Sequence, residues 1–124
     1  MGSYRDLDVY ARSMDFAIDI YKLTNNFPKS EQYGMTAQLR RCAVSIPSNI
    51  AEGHSRSSTV DYIRFLFIAN GSLSELETQL EIAFRLAYFA DISSYYAKVK
   101  HIRSMLAGLI RALKEKAKAA DDQT

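Results

Sequence analysis

The 124-residue sequence contains one cysteine, two prolines, five glycines and two histidines. Each scarcity excludes something. Cys42 has no partner for an internal disulfide, and no CxxC or Cys/His ligand set is present, so the expected compartment is a reducing cytoplasm. Few glycines and prolines favour long uninterrupted elements over many short strands. The glycines are scattered, which leaves no phosphate-binding loop. No apolar run approaches the roughly 20 residues that cross a bilayer, and the opening Met-Gly-Ser-Tyr-Arg carries no apolar signal region. No membrane partner is expected.

Apolar residues make up 48% of the chain, enough to build a core. The length fits one domain spanning residues 1–124, with fraying expected at Met1–Tyr4 and Ala120–Thr124. Net charge is only +2, too little to argue for nucleic acid by itself. Its distribution is more informative. Residues 1–97 hold 9 Lys/Arg against 11 Asp/Glu, whereas residues 98–118 hold 7 Lys/Arg against the single acid Glu115.

Periodicity predicts four helices. The first runs from about Asp6 to Asn26, with Leu7, Tyr10, Met14, Ala17 and Tyr21 as an apolar seam that Ala11 and Ile18 widen. Phe27-Pro28 ends it. The second starts near Ser30 or Glu31, buries Met35, Leu39, Cys42, Ile46 and Ile50, and ends at Gly53, which suits a left-handed cap. The third begins at the N-cap Ser58, with Asp61 three residues on. Its seam is Tyr62, Leu66, Ala69, Leu73, Leu76, Leu80, Ala83 and Ala87. Ile63 and Phe67 exceed what one seam needs, which predicts an interface between copies. The fourth runs from Asp91 or Ser93 to about Ala119 around Ile92, Tyr95, Val99, Ile102, Leu106, Leu109 and Leu113. Short links make neighbours antiparallel, so the expected fold is all-α, an up-down-up-down four-helix bundle.

The second helix carries a proline at its centre. Pro47 has no amide hydrogen, which deprives the Ala43 carbonyl of its partner and predicts a kink. Polar side chains recur along the same helix: Gln38, Arg41, Ser45, Asn49 or Ser48, and Glu52. On the third helix Arg64, Ser72, Glu75 and Gln79 form a matching row. One reading is a structural polar network in which Arg41 pairs with Glu75 and Glu52 with Arg64; the other is a ligand or catalytic cleft beside the kink.

Several stretches carry a resemblance. Phe27-Pro28, Tyr33-Gly34-Met35, Gln38-Leu39-Arg40-Arg41, residues 43–53 (Ala-Val-Ser-Ile-Pro-Ser-Asn-Ile-Ala-Glu-Gly), Gly71-Ser72-Leu73 and residues 75–80 (Glu-Leu-Glu-Thr-Gln-Leu) resemble the 23S rRNA intervening-sequence proteins. Tyr10 stands where that family usually has tryptophan, and Ala87 where glycine is common; both read as packing changes. The resemblance implies a four-helix bundle assembled as a homo-oligomeric ring, a pentamer favoured, and brings no established activity. A related family of bundles binds a reverse transcriptase and nucleic acid in diversity-generating retroelements, which is an analogy of fold and charge.

Catalytic chemistry finds little support. A di-iron bundle needs Glu-x-x-His on two helices, but His54 is preceded three residues back by Ala51 and His101 by Lys98. Cys42 lies on an apolar stripe and reads as a core residue. No cofactor, metal or enzymatic activity is expected. The remaining signal is basic: Lys100, Arg103, Arg111, Lys114 and Lys118 stand off the fourth seam, with Arg40 in support. They read either as a solvated face or, multiplied around a ring, as an RNA phosphate site. The expectation is a non-enzymatic oligomer binding RNA or an RNA-handling protein partner; the alternative is a structural or protein-interaction scaffold.

Overall fold

The computed structural model describes residues 2–122. Four α-helices follow one another: α1 (Asp8–Thr24), α2 (Met35–His54), α3 (Thr59–Arg85) and α4 (Ser93–Asp122), with short 3-10 turns at Tyr4–Asp6 and Lys29–Glu31. There is no strand among the described residues. Sequential helices pack side by side, and α1 meets α4 to close a four-helix bundle. The grooves α1/α2 and α3/α4 therefore lie on opposite sides of it. No helix is long and apolar enough to cross a membrane. Of the termini expected to fray, Met1, Gln123 and Thr124 lie outside the described residues; α4 continues through Asp122.

Three of the four seams fall where periodicity puts them. Leu39, Ile46 and Ile50 of α2, Leu66, Leu73, Leu76 and Leu80 of α3, and Val99 and Leu106 of α4 are all fully buried. On α1 the buried face is instead Val9, Ser13, Phe16, Ala17, Ile20 and Thr24. Met14, Ile18 and Tyr21, expected in the core or on its flank, are exposed. Two polar residues disguise the true face. Ser13 Oγ donates to the Val9 carbonyl at 2.8 Å, and Thr24 Oγ1 to the Ile20 carbonyl at 2.8 Å. Each hydroxyl donates within its own helix, and Thr24 Oγ1 also accepts from Arg40 Nε of α2 at 2.9 Å.

The helix ends follow capping chemistry. Ser58 Oγ accepts from the Asp61 amide at 2.9 Å and starts α3. Asp91 accepts from the Ser93 amide at 3.1 Å and hydroxyl at 2.6 Å, which holds its carboxyl below the ordinary carboxylate range. At the C-terminus of α3, the Tyr88 amide reaches the Ala83 carbonyl and the Ala87 amide the Phe84 carbonyl. This paired pattern needs a left-handed residue, and Ala87 supplies it at φ 62°. The alanine is thus a backbone departure from glycine, and not the packing change the sequence indicates.

Gly53 works differently from the expected cap. It lies inside α2, no glycine has positive φ among the described residues, and Ser55 follows as the cap residue. A Cβ at position 53 would stand 2.8 Å from Phe65 Cβ and 3.0 Å from Tyr62 Cδ1. The missing side chain lets α2 and α3 approach. Helix α2 runs on through Pro47, whose ring is buried. Behind it Ser48 Oγ donates to the Val44 carbonyl and Asn49 Nδ2 to that of Ser45, both at 2.7 Å.

Candidate nucleic-acid interface

Lys100, Arg103, Arg111, Lys114 and Lys118 rise along one side of α4, with Ala107 filling the gap in their spacing of three and four. Contacts locate that side toward α3. Arg103 Nη2 donates to Glu77 Oε1 at 2.9 Å and to Ser74 Oγ at 3.3 Å. Lys114 Nζ lies 5.3 Å from the centre of the Phe67 ring. Lys100, Arg111 and Lys118 are exposed and have no ion pair among the described residues. Their charge faces solvent uncompensated.

Arg40 does not join this row. It sits on α2, which does not touch α4. Its guanidinium donates to Thr24 Oγ1 at 2.9 Å, Asn25 Oδ1 at 3.0 Å and the Tyr21 carbonyl at 3.4 Å, and lies 4.6 Å from the Tyr21 ring centre. Its charge caps the carbonyl end of α1, a structural task.

The polar seam between α2 and α3 is turned inward in part. Ser45 Oγ and Ser72 Oγ share a hydrogen bond of 2.8 Å, and Asn49 Nδ2 donates to Ser45 Oγ at 2.9 Å. Cys42 Sγ lies 3.6 Å from Glu75 Oε2. Burial first, and then the Glu75 charge, push the thiol pKa up, the opposite of what a nucleophile needs. The pairs Arg41–Glu75 and Glu52–Arg64 do not occur among the described residues. Glu52 bonds Arg56 at 2.7 Å and Arg64 bonds Asp61 at 3.1 Å, each one helical turn away. All four residues of the expected network are exposed. A partner on the same helix face is reached with less ordering of long side chains than one across the seam. No group of three or more His, Cys, Asp or Glu among the described residues is arranged to hold a metal.

Two surface clefts are the features that the sequence reading lacks. One, of about 410 Å³, lies between α1 and α2. Tyr10, Met14, Ile18 and Tyr21 face Val44, Pro47 and Ala51 across it, and no charged residue lines it. The misassigned seam of α1 is thus a surface groove. The other cleft, of about 360 Å³, lies between α3 and α4. Phe67, Ala107 and Ile110 make its floor; Arg103, Arg111 and Lys114 stand at its rim. Phe67 is 50% exposed. Ile63, its expected partner at an interface, is half-buried against the core. Asn70 also lines this cleft, and its Oδ1 is buried with no hydrogen-bond donor. The signal for this site was the row Phe67, Asn70, Ser74 and Glu77, which turns toward α4.

Comparison with known proteins agrees with this architecture. A protein of unknown function from the S23 ribosomal protein family of Bacteroides thetaiotaomicron VPI-5482 superposes with a TM-score of 0.74 at 30% sequence identity, covering 83% of this chain and 95% of its own. No curated protein matches the chain. The family described as 23S rRNA-intervening sequence protein matches residues 5–108. Tyr33-Gly34-Met35, the segment around Pro47 and the α3 seam all lie within that span, and the chain belongs to the 23S rRNA-intervening sequence protein family.

Proposed function

We propose that the protein is a non-enzymatic, homo-oligomeric bundle that binds RNA phosphates through α4. The observation that carries this reading is the row Lys100, Arg103, Arg111, Lys114 and Lys118 on one side of one helix, four of them exposed and without an ion pair among the described residues. Uncompensated cations at helical spacing attract phosphate and release its counterions, whatever the base sequence. Assembly multiplies the row. Exposed apolar side chains along the α1/α2 groove, Met14, Ile18 and Val44, support association of copies. The family resemblance favours a ring of five in the cytoplasm.

Fluorescence anisotropy with labelled RNA at low and physiological salt tests the reading. The wild type binds at low salt and loses affinity steeply as salt rises, whereas Lys100→Glu, Arg111→Glu and Lys118→Glu together abolish binding without loss of helicity. Light scattering gives a species several times 14.0 kDa. The uncharged α1/α2 groove favours a second reading, a protein-interaction scaffold, and an assembled wild type that ignores RNA even at low salt would establish it in place of the first.

A further inference from the structure

We propose that the α3/α4 cleft holds one unpaired nucleotide of the bound RNA, its base stacked on Phe67 and its phosphates held by the cleft's rim. This rests on the RNA reading above and specifies the form of RNA preferred. Three features of the cleft converge on that ligand. Its floor is an aromatic ring, half exposed, beside the small side chain of Ala107. Its rim carries Arg103, Arg111 and Lys114 and no acid. Its wall includes the amide of Asn70, whose Oδ1 is buried without a donor among the described residues. A flat apolar body bearing negative charge and a polar edge answers all three.

The amide of Asn70 is the least satisfied group in the cleft. A buried acceptor without a donor is destabilising. A partial rotation of the amide turns the oxygen toward the cleft, where an exocyclic amine of a base supplies the donor. Lys114 covers the Phe67 ring at 5.3 Å when the cleft holds no base. An exposed ammonium over a ring is held more weakly than a stacked base. Its flexible stem lets Lys114 move to the phosphate as the base replaces it.

A second copy of the chain is the competing occupant. Its complementary apolar groove, between α1 and α2, offers no acid to meet Arg111 and Lys114, the rim cations that Glu77 does not neutralise as it does Arg103. Joining those surfaces would bury the rim of charge without compensation, which disfavours the contact. A duplex is disfavoured by geometry, because its bases are already stacked and only phosphates are presented.

The test compares a short unpaired RNA with a blunt RNA duplex carrying the same number of phosphates. Binding to the wild type favours the unpaired strand by on the order of ten-fold, the contribution of one stacked base. Phe67→Ala lowers the unpaired strand to the affinity of the duplex, and Phe67→Tyr restores the preference. Light scattering of Phe67→Ala matches the wild type. The inference is overturned, and the RNA reading kept, if the wild type binds both RNAs equally or if Phe67→Ala retains the full preference. A change of oligomeric state in Phe67→Ala also overturns it, by making the ring an interface residue. If the wild type binds neither RNA at low salt, the RNA reading fails; adenosine and uridine monophosphates are then titrated against it. Chemical-shift changes at Phe67 and Asn70 would keep the cleft as a free-nucleotide site, and their absence would remove it.

Discussion

The α2–α3 hairpin and the outer side of α4 are equally polar in sequence and opposite in how that polarity is used. Between α2 and α3, Ser45 meets Ser72 and Asn49 meets Ser45, while Glu52 pairs with Arg56 in the loop after α2 and Arg64 with Asp61 on its own helix. Gly53 removes the side chain that would hold the two helices apart. On α4, Lys100, Arg111 and Lys118 are exposed and form no ion pair among the described residues. Ser45, Asn49 and Ser72 are consumed in making the bundle, whereas the exposed cations, Arg41 of α2 among them and the row on α4 above all, have no ion pair among the described residues. Helical spacing does not distinguish the two, since polar residues recur at steps of three and four in both. The difference lies in whether a partner is within reach.

The first way to break this comparison is at the close approach of α2 and α3. Gly53→Ala places a methyl group against Phe65 and the Tyr62 backbone. Overpacking of this kind costs about 1–3 kcal/mol, against a helix-propensity gain of about 1 kcal/mol. Because the Tyr62 carbonyl is part of a helix and cannot swing away, the net effect in thermal denaturation is a loss. Gly71 is the control. It lies exposed in the middle of α3, with nothing within 4 Å of an added Cβ. Gly71→Ala stabilises the isolated chain by about 1 kcal/mol. A lowered melting temperature there would mean that another chain approaches α3 at this point.

Ala87→Gly comes next. The left-handed conformation at φ 62° strains an alanine by roughly 1 kcal/mol, and glycine removes that strain without disturbing the Tyr88–Ala83 hydrogen bond. A chemical-denaturation midpoint shifted upward with unchanged slope is the expected result. The smallest effect belongs to Glu75→Gln. Glu75 is exposed and bonds no arginine, so the loss of stability stays below about 1 kcal/mol. A loss of several kcal/mol would mean that the Arg41–Glu75 pair forms in the assembled protein.

Much of this architecture was legible because long apolar heptads leave little choice. The seam from Leu66 to Ala83 defines α3 almost without structure, and Ser58 marks its start. Apart from the face of α1, the errors share one cause: each depended on a contact that a single helix does not encode. On α1, Met14 and Tyr21 outweigh Ser13 and Thr24 in any count of apolar residues. Yet those two hydroxyls are satisfied locally and take the buried positions. Gly53 looks like a cap because it nears a helix end, while its role is set by Tyr62 and Phe65 on the next helix. Arg40 looks like part of a basic set, but its position beside Thr24 and Asn25 commits it to the end of α1. The α4 row was legible as a row; the cleft beside it was not, because Phe67 and Asn70 come from α3.

The most direct test of the central claim is the salt dependence of RNA affinity in two variants with the same change of net charge. In one, Lys100, Arg111 and Lys118 are replaced by glutamine; in the other, Arg40, Arg56 and Arg64. Each phosphate contact contributes about 0.7–0.9 to the slope of log affinity against log salt. If the α4 cations are the available ones, the first variant loses roughly two to three units of slope and the second keeps the wild-type value. Equal slopes in the two variants would contradict the account, since bound phosphate would then be responding to net charge and not to the uncommitted row on α4.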